Sequence, residues 1–332
     1  MTTSTEGKLA KLGKDCTPLT FRLTAMPLFH FRHIAVLSRL PGIINRARRW
    51  MPAMALAAAL TTLAGCGVLR IGYNSAVDLG YYWLDSYVDF DKAQSRRVKA
   101  ELNTIHRWHR KEELPRMAEL LVQAQTLLLQ SPDGARLCAL YDSVLQRSQA
   151  LAKQAVPAAA TIIPSLKPEQ LATLTQAYEK SNRKMLGEWR DAHSKGMDLR
   201  TLKSLERLED LYGDLSAEQR NVFKARMSEN GFDEQKYQYE LRSRQQAVLQ
   251  AFGHLRGADA ATAEATLGEL NKLFYESADP AYRQHHEQVL AKTCHAFAAL
   301  HAQTNAAQRG HMLKRLKDYE NELRSLMLQK TD

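Results

Sequence analysis

The sequence predicts an all-α protein: an elongated antiparallel bundle of about nine to eleven helices, following an N-terminal signal segment and a tether. Three observations point there. Beyond residue 90, Ala, Leu, Gln, Arg and Glu dominate and β-branched runs are nearly absent, a composition that favours helices. Apolar residues recur there at steps of three and four, the spacing of one helix face. Pro, Gly and Asn-Gly signals break those stretches at short intervals, and short connections suit helices that are neighbours in space.

The elements follow in order. Val98, Leu102, Ile105 and Trp108 form one stripe. Pro115 is expected to start or kink the next helix, over 116–130. Ser131-Pro132-Asp133-Gly134 reads as a turn. A helix over 137–155 is expected to end at Pro157 and Pro164, and another spans 171–193. Over 197–212, Leu202, Leu205, Leu208 and Tyr212 repeat before Gly213. Residues 222–228 are closed by Asn230-Gly231, 234–255 end at Gly257, and 262–277 end before Pro280. Helices over 282–303 and 310–329 complete the chain. In the last, Met312, Leu316, Tyr319, Leu323 and Leu326 form a short heptad face. No Gly/Ser-rich linker interrupts residues 77–332, which are read as one helical unit.

Charge is unevenly spread. Residues 1–50 hold nine Lys/Arg and two Asp/Glu, and residues 51–65 hold none. The rest has 37 basic and 34 acidic groups, an ordinary mixed surface without a basic stripe, so no nucleic-acid partner is expected.

Arg46, Arg48 and Arg49 precede an apolar run, Met51 to Leu63, that is too short to span a bilayer. It ends in Leu63-Ala64-Gly65-Cys66, which resembles the lipobox of bacterial lipoproteins. The resemblance implies cleavage before Cys66 and diacylation of its thiol. Acyl chains at about 0.8 kcal/mol per buried methylene make such an anchor effectively permanent. Residues 46–65 are thus expected to be a signal peptide and 66–76 a lipidated tether. Residues 1–45 would be a misassigned or disordered extension. Gly67 occupies the sorting position, where the absence of aspartate implies the outer membrane, facing the periplasm.

Gly72-Tyr73-Asn74 and Trp83-Leu84-Asp85-Ser86-Tyr87-Val88-Asp89 resemble the signature of an uncharacterised family of bacterial lipoproteins. That resemblance implies a location and no activity. In the second block Tyr81, Tyr82, Trp83, Asp85, Tyr87 and Asp89 are candidate recognition residues, the aromatics as a groove and the carboxylates as polar anchors. The competing reading packs Trp83, Tyr87 and Phe90 beneath the bundle, with Asp89 or Asp91 capping the next helix.

Three segments echo one another: Leu166 to Gln170, Leu215 to Gln219 and Thr304 to Gln308. Ser216 and Gln219 have the spacing of a capping box. The segments also resemble the Leu-Thr-x-x-Gln motif of small periplasmic stress adaptors and chaperones. His106 and His109 stand one helical turn apart, and His285, His286, His295 and His301 share a helix without sharing a face, so no metal site is assigned. Cys138 and Cys294 are the cysteines left once Cys16 is removed and Cys66 acylated. A disulfide and two buried thiols both fit them.

No nucleophile elbow, P-loop, dinucleotide fingerprint or zinc-protease motif occurs, and no catalytic residue or cofactor is assigned. The expectation is a non-enzymatic binding or scaffolding module of the envelope. Its partners would be membrane lipid, through acylated Cys66, and an envelope protein or glycan. A holdase-like chaperone or stress adaptor, and an envelope hydrolase or metal-binding protein, are the alternatives.

Overall fold

The computed structural model describes residues 69–329. The expected extension 1–45, the signal peptide 46–65, Cys66 and Gly67 lie outside the described residues. Eleven α-helices run between Ala76 and Leu328, and there is no strand among the described residues. They are α1 (Ala76–Val88), α2 (Lys92–Trp108), α3 (Leu114–Leu128), α4 (Gly134–Ile162), α5 (Pro168–Ser194), α6 (Leu199–Tyr212), α7 (Ala217–Ser228), α8 (Glu234–His254), α9 (Ala260–Lys272), α10 (Pro280–Ala302) and α11 (Ala306–Leu328).

Local chemistry sets the starts. Asp91, Asp133, Asp198, Ser216, Asp233, Asp259, Asp279 and Asn305 each precede a helix, and each side chain accepts hydrogen bonds from first-turn N–H groups. Those donors have no partner inside the helix, and a cap of this kind is worth about 1 kcal/mol.

Pro115 lies in the first turn of α3, as expected, whereas Pro157 departs from expectation. A π-helical turn, His109–Glu113, joins α2 to α3, and the Leu114 N–H reaches the His109 carbonyl. The wider turn absorbs the hydrogen bond that Pro115 cannot donate. Pro157 does not end α4, which runs on to Ile162. Both Pro157 and Lys153, whose carbonyl loses its partner, are exposed to water. Burial of Ala158, Ala160 and Ile162 beyond the proline outweighs the missing bond. A further difference lies at the N-terminus. Residues 69–74, expected as tether, are helical, and the aromatic block that follows is α1.

Two main cores form. Val88, Ala160, Leu174, Val248 and Leu267 anchor one, built from α1, α4, α5, α8 and α9. Leu128, Leu205, Phe223, Leu300 and Met312 anchor the other, built from α3, α6, α7, α10 and α11. Helices α3 and α11 run antiparallel: Leu114 and Ala118 pack with Leu323 and Leu326, while Leu128 shares the second core with Met312. The structure bridges Cys138 of α4 to Cys294 of α10, with Cα atoms 5.6 Å apart. One turn earlier, Gly134 lies so close to His295 that a β-carbon would overlap the imidazole ring.

The echoed glutamines meet in pairs. Gln219 Nε2 donates to Gln308 Oε1 (2.9 Å) and Gln308 Nε2 donates back to Gln219 Oε1 (3.0 Å). Each Oε1 also accepts from the N–H of its own cap residue, Ser216 or Asn305. Each Nε2 also donates to the carbonyl five residues before its partner, Gln303 O or Asp214 O. Gln170 makes the same clasp with a glutamine the sequence reading did not include, Gln94 (2.7 and 3.1 Å). Their further partners keep the offsets: the N–H groups of Lys167 and Asp91, and the carbonyls of Ser165 and Asp89. All four side chains are buried and fully hydrogen-bonded. The identical offsets make the two clasps the same motif, used twice.

Candidate functional site

The middle of α4 carries small residues, Ala152, Ala155 and Ala159, on the face toward α1, α5 and α8. Opposite stand Trp83 and Tyr87 of α1, Tyr178 of α5 and Phe252 of α8. Rigid rings held on separate helices do not close the space that the alanines leave. A cavity of about 1190 Å³ results, larger than the roughly 300–1,000 Å³ of most small-molecule sites.

Its inner wall is apolar and aromatic. Trp83 and Tyr87 meet as tilted rings with centroids 5.3 Å apart, and Tyr87 meets Tyr178 edge-on at 6.2 Å. Burial pushes both tyrosine hydroxyls up to about 12, so they stay protonated; Ser181 hydrogen-bonds Tyr87. The indole N–H of Trp83 is buried without a protein acceptor. Asn182 and Gln245 exchange hydrogen bonds (2.9 and 3.0 Å) and tie α5 to α8 beside the cavity.

The mouth lies at Tyr141 and Phe274, which are 37% and 43% exposed. A collar of polar groups borders it. Arg244 donates to Glu240 (2.6 Å) and to the Phe274 carbonyl (2.8 Å). Arg200 stands 4.2 Å over the Phe232 ring, and Tyr282 lies parallel to His286. Burial, then Arg200 and Arg244, hold the His286 imidazole below its ordinary range, with Glu287 the weakest influence. The lining there carries both signs: Arg200, Arg244 and Arg283 stand with Asp233, Glu240, Glu276 and Glu287. Of the acids, Asp233 caps α8 and Glu240 is paired.

The predicted recognition residues divide. Trp83 and Tyr87 line the cavity. Tyr81 does not: its hydroxyl donates to Ser95, and Lys99 sits 4.4 Å over its ring. Tyr82 is 64% exposed and meets Tyr81 edge-on. Asp85 accepts from the Phe90 N–H (2.9 Å), and Asp89 turns left-handed with its carbonyl bound by Gln170. Both aspartates thus end α1, and Asp91 caps α2.

Gly72-Tyr73-Asn74 has a separate place. Tyr73 packs on His106 (4.7 Å), hydrogen-bonds His109 Nδ1 (3.0 Å) and lies under Arg110. Asn74 bonds Arg110 and Gln329. The element docks the entering chain onto the π turn and the end of α11. Among the described residues no group of three or more His, Cys, Asp or Glu is placed to hold a metal ion. His301 is buried against the Tyr212 hydroxyl (2.8 Å). Of the collar residues, His286 figured in the sequence reading only as part of a histidine group weighed for metal binding, and Arg200, Arg244 and Tyr282 escaped it because each sits among ordinary charged helix positions. No motif spacing links them.

Fold and cavity together define an all-α, cavity-bearing helical bundle. The chain belongs to the Family of unknown function (DUF6279), whose model matches residues 86–272. No curated protein and no solved structure matches it.

Proposed function

We propose that the chain is an envelope lipoprotein, anchored to the outer membrane through Cys66 and facing the periplasm. It works there as a non-enzymatic binding module that receives an apolar partner in its cavity. The observation that carries the binding role is the large aromatic-walled cavity with a polar collar at its mouth. The four-residue site at Cys66 supports the anchor. No helix among the described residues is long and apolar enough to cross a membrane.

Radiolabelled palmitate tests the anchor: label on the parent chain and none on Cys66→Ser is expected, and equal label on both overturns it. A photo-reactive residue replacing Phe274 at the mouth tests the module. Adducts should form in cells and be lost when Ala155→Trp fills the cavity; adducts that ignore the filling overturn the role.

A second reading, a holdase-like stress adaptor, is favoured by the two glutamine clasps, because they use the segments that resemble the Leu-Thr-x-x-Gln motif. Suppression of client aggregation at several-fold molar excess is its readout, and no suppression removes it.

A further inference from the structure

The helical path that leads the chain into the bundle turns apolar side chains outward. It begins at Leu69 and continues through Ser75: the Ser75 N–H donates to the Ile71 carbonyl (3.0 Å), and the Leu79 N–H donates to the Ser75 carbonyl (2.9 Å). Ile71, Leu79 and Tyr82 therefore fall on one face, at steps of eight and three residues. They are 69%, 52% and 64% exposed. The opposite face is committed to the bundle. Tyr73 packs with Leu114, Leu323 and Leu326, Gly80 lies against Leu102, and Trp83 and Tyr87 wall the cavity. The outward row cannot turn inward without giving up those contacts.

Exposed apolar side chains are common on protein surfaces, and it is the position of this row that assigns an occupant. Cys66 stands three residues before Leu69, and three residues of chain reach at most about 11 Å. An acylated Cys66 is held where headgroups meet hydrocarbon, and the headgroup layer is only about 5–8 Å deep. The helix therefore starts at the leaflet surface, and from Ile71 to Tyr82 its apolar row runs for about 16 Å. A helix with one apolar row lies in the plane of the interface, and a tyrosine ring suits headgroup depth. Asp78, exposed beside the row, stays hydrated at that depth.

Building on the anchor reading, we propose that this face rests on the phospholipid leaflet that holds the Cys66 acyl chains. Ile71 and Leu79 sit at the boundary of headgroups and hydrocarbon, and the Tyr82 phenol sits among the headgroups. Three side chains alone hold a membrane weakly; the anchor makes their contact intramolecular, which raises their effective concentration. The contact fixes how the bundle stands: α1 is its underside, and the cavity wall at Trp83 and Tyr87 lies one helix diameter, about 10 Å, from lipid.

The acylated chain, purified from envelopes and reconstituted in vesicles of phosphatidylethanolamine and phosphatidylglycerol, tests this. Ile71→Cys, Leu79→Cys and Tyr82→Cys each carry a nitrobenzoxadiazole label. In the processed chain Cys66 is a thioether and Cys138 is bridged to Cys294, so the added thiol is the one that reacts. Tyr239→Cys, replacing a 74% exposed tyrosine of α8, is the control. Nitroxides near the top of the lipid acyl chain lie at the depth an interfacial helix reaches, about 5–10 Å, and should quench the three labels at least about fivefold more than the control. Ile71→Asp/Tyr82→Asp should bring the Leu79→Cys label down to the control level, with the palmitate label and the unfolding midpoint unchanged. Should that variant not fold, the labels on the otherwise parent chain decide alone. Equal quenching of the control, or no quenching of the three labels on a chain that carries palmitate, overturns the proposal and leaves the anchor standing. Labels shielded from water yet not quenched by lipid also overturn it, since a second copy then covers the face. A chain without palmitate overturns the anchor and the proposal with it.

Discussion

At the scale of single residues, the four clasp glutamines do most to define the molecule. Each amide uses both hydrogens and accepts twice, and each does so in a buried place where water cannot substitute easily. Gln219→Ala strands the Ser216 N–H, the Gln303 carbonyl and one side of Gln308. The expected loss is about 2–4 kcal/mol, read as a lower urea midpoint at unchanged slope. The double variant Gln219→Ala/Gln308→Ala should lose less than the two single losses added, by about 1–2 kcal/mol, because the second truncation removes a group already orphaned. Strict additivity would mean that the amides do not act as a pair. The capping role of Gln219 was legible in its spacing from Ser216. The pairing was not, since Gln219 and Gln308 are 89 residues apart. Gln94 was legible in principle: Phe90, the cap Asp91 and Gln94 repeat the Leu215, Ser216, Gln219 spacing. The aromatic block beside it drew the reading toward recognition.

At the scale of elements, helix existence followed from period and caps, and helix ends failed where tertiary burial overrode a local breaker. Helix α4 is the case in point. Its proline interrupts one hydrogen bond at the water-facing side, and the last buried turn holds regardless. Pro157→Ala restores that bond. An interior proline costs about 3 kcal/mol, part of which returns as lost stiffness of the unfolded chain, so a net gain of about 1–2 kcal/mol is expected in chemical denaturation. A loss would show that the backbone angle fixed by Pro157 is needed for the packing around Ala160. The block over 81–91 was harder to read, because its tyrosines, tryptophan and valine favour strands as much as helices. It becomes α1 because Tyr87, Val88 and Phe90 find the first core. The α4–α10 contact was left open by the sequence, since spacing cannot show whether two cysteines approach. With 156 residues between them, the bridge should contribute up to about 5 kcal/mol through the unfolded chain. Cys138→Ser/Cys294→Ser should lower the denaturant midpoint accordingly. Reductant should do the same to the parent chain, and a midpoint unmoved by reductant would mean free thiols.

At the scale of the whole molecule, the buried titratable groups pull stability in one direction at each end of the pH range. Burial holds the imidazoles of His106, His109, His286 and His301 below their ordinary value of 6.5. The unfolded chain therefore takes up protons first, so the stability these groups leave intact above pH 6.5 declines as pH falls below it. Glu320 continues the decline. Hydrogen bonds from Gln125, Arg324 and Lys317 draw its carboxyl from 4.5 down to about 2. Its contribution is complete above pH 4.5 and is lost as pH falls from there toward 2. Tyr73, Tyr87 and Tyr178 act at the other end: burial raises them from 10 to about 12, so the unfolded chain ionises first and stability falls above pH 10. These groups sit in both cores and at the docked entry segment, and the α4–α10 bridge joins the two halves. The titrations should therefore act on a single transition. Urea melts followed by tryptophan fluorescence and by far-ultraviolet circular dichroism should coincide, with unfolding free energy flat between about pH 7 and 10 and falling on both sides. Glu320→Gln should lower the plateau yet flatten the acid limb between pH 4.5 and 2. An acid limb equally steep in that variant would move the effect to other carboxylates, and two separate melts would mean that the two cores unfold apart.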